Sequence, residues 1–171
     1  MIKTNALDYV FIAECKMYKS LTDSTRKLNV RATQSTRKAD RLRKPSLGRS
    51  VGGLATSVDW QGDAWYRVMG DAGTRIPEDP FTTGIYKAIL PGFSGYCNTH
   101  CSGVLPYGSH PHTQGELVKN VQVCYNCNGN LCNYRNKAVT GARVKIRHCG
   151  DYFVYYLTQH ANGFNSRYCT E

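Results

Sequence analysis

The sequence predicts an all-β protein: a single disulfide-braced antiparallel β domain with long loops over residues 51 to 171, preceded by a disordered basic tail over residues 1 to 50. Three observations carry this. Short alternating apolar and polar runs separated by turn residues begin past Val51, where ten of the twelve tyrosines also lie. Seven of the eight cysteines, Cys97, Cys101, Cys124, Cys127, Cys132, Cys149 and Cys169, fall in the second half, a clustering that means bridges or metal. Charge is lopsided too, because residues 1 to 50 hold 12 basic and 4 acidic side chains, net +8, whereas residues 51 to 171 hold 10 and 8, net +2. The basicity describes the tail, so the folded domain is not expected to bind nucleic acid.

A chain of 171 residues is long enough for one domain with a hydrophobic core. At its start, MIKTNALDYVFIAECK has Asp8 and Glu14 interrupting the apolar run, which leaves no h-region of a secretion signal. No window approaches the roughly 18 uninterrupted apolar residues of a membrane span. From Ser20 to Ser50 there is no aromatic residue and little aliphatic surface, and a short STRK phrase occurs at 24 to 27 and again at 35 to 38. Burial there is too small to offset the entropy of ordering, so a low-order segment is expected.

The strands follow in chain order. AWYRVM (64 to 69) is the first. LVKNVQVCY (117 to 125) sets Val121, Val123 and Tyr125 against Asn120, Gln122 and Cys124, and ARVKIRHC (142 to 149) sets Val144, Ile146 and His148 against Arg143, Lys145 and Arg147. Both read as half-buried antiparallel strands. DYFVYYLT (151 to 158), apolar or aromatic throughout, reads as a central strand covered on both sides, joined to its predecessor by a hairpin through Cys149, Gly150 and Asp151. PEDPFTTG, LPGFSGYC, LPYGSHPH and NCNGNLCN are loops.

Two chemistries fit the cysteines. CYNCNGNLC (124 to 132) contains the CxxC spacing of zinc sites, which Cys132, His148 and Cys149 could complete; paired with phosphate contacts from the tail, this gives an intracellular zinc-binding, nucleic-acid-contacting alternative. The second CxxC or HxxxH of a ribbon or finger is missing, and CNTHC (97 to 101) is looser. A thioredoxin-type reading fails because no helical period follows Cys127. No arrangement of cysteine, histidine and asparagine stands out as catalytic, so no catalytic residue, cofactor or metal is assigned. His110 and His112 read as exposed imidazoles of a turn. The Arg143, Lys145 and Arg147 ladder reads as a solvated strand face, with a sulfated glycan as its functional alternative. A disulfide-braced β module needs none of these inventions, since bridges restrict its unfolded state.

GDAWYRVMGDAGTRIPE (62 to 78), CNTH and GSHP (97 to 100 and 108 to 111), the VCY strand start, VKIRHCGDYFVYYLT (144 to 158) and RYCT (167 to 170) occur in an order that resembles the cysteine-rich domain shared by uromodulin, the pancreatic zymogen-granule glycoprotein and oncoprotein-induced transcript 3. The likeness runs from about Asp59 to Thr170. It implies an extracellular or secreted, β-rich, disulfide-bonded and non-catalytic binding or structural module of a larger glycoprotein, and a fragment or incomplete gene model would reconcile that with the absent signal. Against the family pattern, Val58, Pro80, Leu131 and Asn165 replace cysteines, while Cys101 and Cys127 are additional, so the resemblance implies a Cys101–Cys127 pair. Five shared positions leave one odd thiol, for which Cys15 is the candidate partner. The relatives carry an N-glycan on a loop reading Asn-Gly-Ser/Thr-His-Pro, which can act as a mannose decoy for bacterial adhesins. Here Tyr107 replaces that asparagine and no Asn-x-Ser/Thr sequon occurs in the chain, so the decoy role does not carry over. An unknown protein or glycan ligand is then expected on aromatic surface, with Trp60, Tyr86, Tyr96 and Tyr107 as candidate contacts.

Overall fold

The computed structural model describes residues 12–30, 36–42, 54–78, 97–126, 142–159 and 165–171. Their regular elements are ten strands and three short 3-10 turns, in agreement with the all-β expectation. The strands are β1 (Lys19–Leu21), β2 (Lys38–Ala39), β3 (Ala55–Thr56), β4 (Ala64–Val68), β5 (Cys101–Val104), β6 (Leu117–Gln122), β7 (Cys124–Asn126), β8 (Arg143–His148), β9 (Phe153–Leu157) and β10 (Ser166–Tyr168). They form a five-stranded sheet in the order β1-β4-β9-β8-β6, a three-stranded sheet in the order β10-β5-β7, and the pair β2-β3. Antiparallel pairing dominates the large sheet, but β1 runs parallel to β4, β10 to β5, and β2 to β3.

Alternation in the sequence explains the large sheet's inner face. Tyr66 and Val68 of β4, Tyr155 and Leu157 of β9 and Val144 and Ile146 of β8 are buried, while Arg143 and Lys145 face solvent. The β8–β9 hairpin forms with His148 opposite Phe153, and the Cys149 N–H closes its turn on the Tyr152 carbonyl at 2.8 Å. β9 is the central strand, as its unbroken apolar run predicts, but the expected cover on both sides is corrected, because Tyr156 on its outward face is partly exposed. The run LVKNVQVCY divides instead. Register slips by one residue between Val118 and Val121, where Asn120 takes a left-handed φ of 57°, and the chain leaves the large sheet after Gln122 to enter the small one at Cys124. Val121, Val123 and Tyr125 stay buried across that corner, so one apolar face serves two sheets.

The core lies between them. Trp60 stacks on Tyr66 of β4 at 5.1 Å between ring centres and on Tyr168 of β10 at 6.0 Å. Leu21, Ile76, Leu105 and Val123 belong to the same cluster.

The described parts of residues 1 to 50 depart from the low-order tail expected there. β1 extends the large sheet, and Arg26 of the first STRK phrase is fully enclosed, with 0% of its surface exposed. Its guanidinium binds both oxygens of Asp40 at 2.7 and 2.8 Å, binds Asp59 from Nε at 2.9 Å, and donates to the Tyr168 carbonyl at 3.0 Å. A second buried cation, Arg167, reaches Asp23 at 2.8 Å and Ser57 at 3.0 Å. Ordering entropy in this segment is offset by paired buried charge, parallel strand pairing and a bridge from Cys15, none of which appears in an aliphatic count.

Candidate functional site

A polar chain of three side chains runs beneath the GSHP loop. Glu78 closes the 62 to 78 motif, His110 sits in the loop and Tyr155 on β9. Glu78 Oε1 lies 2.7 Å from His110 Nδ1, and His110 Nε2 lies 2.7 Å from the Tyr155 hydroxyl. The Glu78 carboxylate can only accept, so the neutral imidazole carries its proton on Nδ1 and Nε2 accepts from the Tyr155 hydroxyl, which itself accepts the Ile76 N–H at 3.2 Å. Burial lowers the His110 pKa against the pull of Glu78, which favours this neutral form. Burial alone would raise Glu78, but hydrogen bonds from His110 and from the Gly108 and His110 N–H groups hold it below its usual value. His110 also packs on the Phe153 ring at 4.6 Å. The expectation of an exposed imidazole is therefore corrected for His110, which is 5% exposed, while His112 is exposed. With His110 and Tyr155 buried and Glu78 half-buried at its outer end, the chain pins a loop onto β9.

The cysteines read as bridges. Cys15 joins Cys149 with Cα atoms 5.7 Å apart, and Cys97 joins Cys169 at 5.5 Å. Cys101 and Cys124 are disulfide-bonded as well, whereas Cys127 and Cys132 lie outside the described residues. Cys124 and Cys149, both offered as ligands by the zinc alternative, hold no free thiolate. Among the described residues no three His, Cys, Asp or Glu side chains gather where they could hold a metal ion.

Of the candidate contact residues, Trp60 is corrected. It is 4% exposed and sandwiched between Tyr66 and Tyr168, because the two sheets need a flat, large side chain to close the gap between them. Tyr107, at 63%, stands in solvent at the loop tip beside Gly108. Tyr86 and Tyr96 fall outside the described residues.

The outward face of the large sheet carries a different set, which joins Lys145 and Arg143 of the strand ladder to aromatic residues not expected there. Pairing places Trp65 opposite Tyr156 and Tyr156 opposite Lys145, so the three share one cross-strand row, all at least partly exposed. The rings of Trp65 and Tyr156 meet edge to face at 5.6 Å, and Lys145 Nζ lies 5.3 Å from the Tyr156 ring centre. Arg143 flanks Lys145 on β8. Arg67, two residues beyond Trp65, lies 3.7 Å from the Tyr152 ring centre and donates to the Tyr18 hydroxyl. Aligning AWYRVM with DYFVYYLT by alternation would have found this row, since both strands are aromatic on each face.

Two open sheets around an aromatic core, clamped by disulfides that join distant parts of the chain, define a disulfide-braced β module. The model of the uromodulin-like D8C domain matches residues 66–170. The chain belongs to that family. It is 31% identical over 130 residues to the pancreatic secretory granule membrane major glycoprotein GP2 of Mus musculus, covering 72% of this chain and 21% of that protein. With GP2 of Rattus norvegicus it shares 32% over 111 residues, covering 63% and 17%. The chain thus spans about a fifth of the length of these curated relatives. Cys15, Arg26, Asp40, Asp59 and Trp60 all precede the matched stretch, yet they complete its core.

Proposed function

We propose that this chain is a non-catalytic, extracellular binding module of a larger glycoprotein-type architecture, acting through its own protein surface. The observation that carries it is the pair of bridges Cys15–Cys149 and Cys97–Cys169, which tie positions 134 and 72 residues apart and persist only in an oxidising compartment. Membership of a family with secretory-granule glycoprotein relatives supports the same setting. Because the chain has no Asn-x-Ser/Thr sequon, recognition falls to side chains and not to an attached N-glycan. Among the described residues no helix is long and apolar enough to cross a membrane, so attachment to one is left to other parts of such an architecture.

The test is intact mass before and after reduction, with metal analysis on the same sample from secretory expression. Four bridges predict a gain of about eight mass units on reduction and no bound zinc. One equivalent of zinc with free thiols would overturn the reading in favour of the intracellular alternative.

A further inference from the structure

We propose that the outward face of the five-stranded sheet, centred on Trp65, Tyr156 and Lys145, binds a sulfated saccharide chain. The assignment rests on the binding-module reading above and supplies its ligand class. The face combines two properties that a solvated sheet surface does not need together. Its aromatic rings lie in one row, Trp65 and Tyr156 on neighbouring strands, and offer flat apolar area to the carbon face of a sugar ring. Around that row stand Lys145, Arg143 and Arg67, and none of the three is ion-paired to a carboxylate of the described residues. Lys145 and Arg143 are two residues apart on one strand, roughly 7 Å, a spacing that favours a ligand with repeated anions over one with a single charge.

Carboxylates bound the face without neutralising it. Glu14 is taken up by Arg147 at 2.7 Å, and Asp63, two residues before Trp65, accepts the Gln159 N–H at 2.6 Å. An acidic peptide is the weaker fit. Peptides gain affinity by adding a strand to a free sheet edge, whereas β9 beneath Tyr156 is hydrogen-bonded on both sides by β4 and β8. Only side chains are available there, and they are rings and cations.

The probe is a size-defined heparin octasaccharide, titrated calorimetrically into the full chain at physiological salt, with its fully desulfated form as control. Binding is expected for the sulfated form alone. Lys145→Gln with Arg143→Gln should weaken it at least about tenfold, and Tyr156→Leu, which keeps every charge, at least about threefold. Lys27→Gln with Arg41→Gln removes the same charge from residues outside the large sheet and should change affinity less than about twofold. Equal losses from both cation pairs would reduce the binding to diffuse electrostatics and overturn the site. So would absence of binding to the wild-type chain, or an acidic peptide competing at the Tyr156 face where the octasaccharide does not bind. Any of these with the bridges intact removes the saccharide assignment alone, since the module reading stands or falls on mass and zinc.

Discussion

The side chains of Arg26 and Asp59, 33 residues apart in sequence, meet inside the protein with Nε 2.9 Å from Oδ2 and no part of the arginine exposed. Asp59 accepts the Thr22 and Asp23 N–H groups through the same oxygen, so one carboxylate fixes both the turn after β1 and the cation. Asp40 completes the charge balance and also accepts the Tyr168 N–H at 2.8 Å. Arg26→Met would strand two buried carboxylates and should cost about 3–5 kcal/mol by chemical denaturation. Asp59→Asn should cost less, because Arg26 keeps its two-point contact with Asp40. A fragment of residues 51 to 171, lacking Arg26, Asp40 and Cys15, should not fold cooperatively. A fragment that melts like the full chain would show the pairing to be dispensable.

Acid should loosen the GSHP loop in two steps of the same sign. His110 is held neutral by burial, with Glu78, Tyr155, Arg75 and Glu171 around it, so its folded pKa lies below its ordinary value of 6.5. The unfolded chain then binds the proton first, and stability present above about pH 6.5 is lost as pH falls toward the folded pKa. Glu78, also lowered, adds a second loss as pH falls below its ordinary 4.5. Urea midpoints at a series of pH values should therefore decline from about pH 7 to about pH 5. His110→Gln should lower the neutral-pH midpoint and flatten that first decline. An unchanged slope in the variant would assign the pH dependence elsewhere.

Gly73 offers a sharper test of packing. Its φ is 102°, and a Cβ placed there would lie 2.4 Å from the Glu171 carbonyl oxygen, the group that accepts the Thr74 and Arg75 N–H bonds. Gly73→Ala should cost well over about 1 kcal/mol, since both backbone strain and that contact act. Gly108, with φ of 76° and open space around it, carries strain alone. The alanine variant at 108 should thus be the milder of the two by thermal unfolding, and equal effects would rule out the Glu171 contact as the cause.

Much of the large sheet was legible because alternation is a local signal. The runs at 64 to 69, 142 to 149 and 151 to 158 became neighbouring strands β4, β8 and β9, with Val144 and Ile146 inward as expected. The 117 to 125 run kept its buried face but hid a change of sheet, since a one-residue bulge leaves no mark in hydropathy. Arg26 was misread for a deeper reason. Its phrase is polar and basic, and its partners at 40 and 59 are remote, so only the assembled fold shows that the charge is buried and paired. Trp60 was misread the other way, because a tryptophan bounded by Asp59 and Gln61 gives no local sign that it fills the gap between two sheets. The Trp65 row needed two strands aligned before it could be seen.

Cys101 and Cys124 are each bridged to a partner other than Cys15, Cys97, Cys149 and Cys169. β5 and β7 pair antiparallel with Ser102 opposite Asn126, Gly103 opposite Tyr125 and Val104 opposite Cys124. Cys101 and Cys127 are the two cysteines additional to the family pattern, which supports pairing them with each other. Cys101 and Cys124 are both disulfide-bonded but stand three steps apart in this ladder, roughly 10 Å along the strand and beyond the span a disulfide can bridge. We propose that Cys101 pairs with Cys127, leaving Cys132 for Cys124. Proteolysis without reduction followed by mass spectrometry should release a linked peptide containing Cys101 and Cys127. Cys101→Ser with Cys127→Ser should lower stability by about 3 kcal/mol without freeing any other thiol, because the partners leave together. A peptide joining Cys127 to Cys124 would sink the pairing, as would a Cys127→Ser variant in which Cys132, and not Cys101, becomes the reactive thiol.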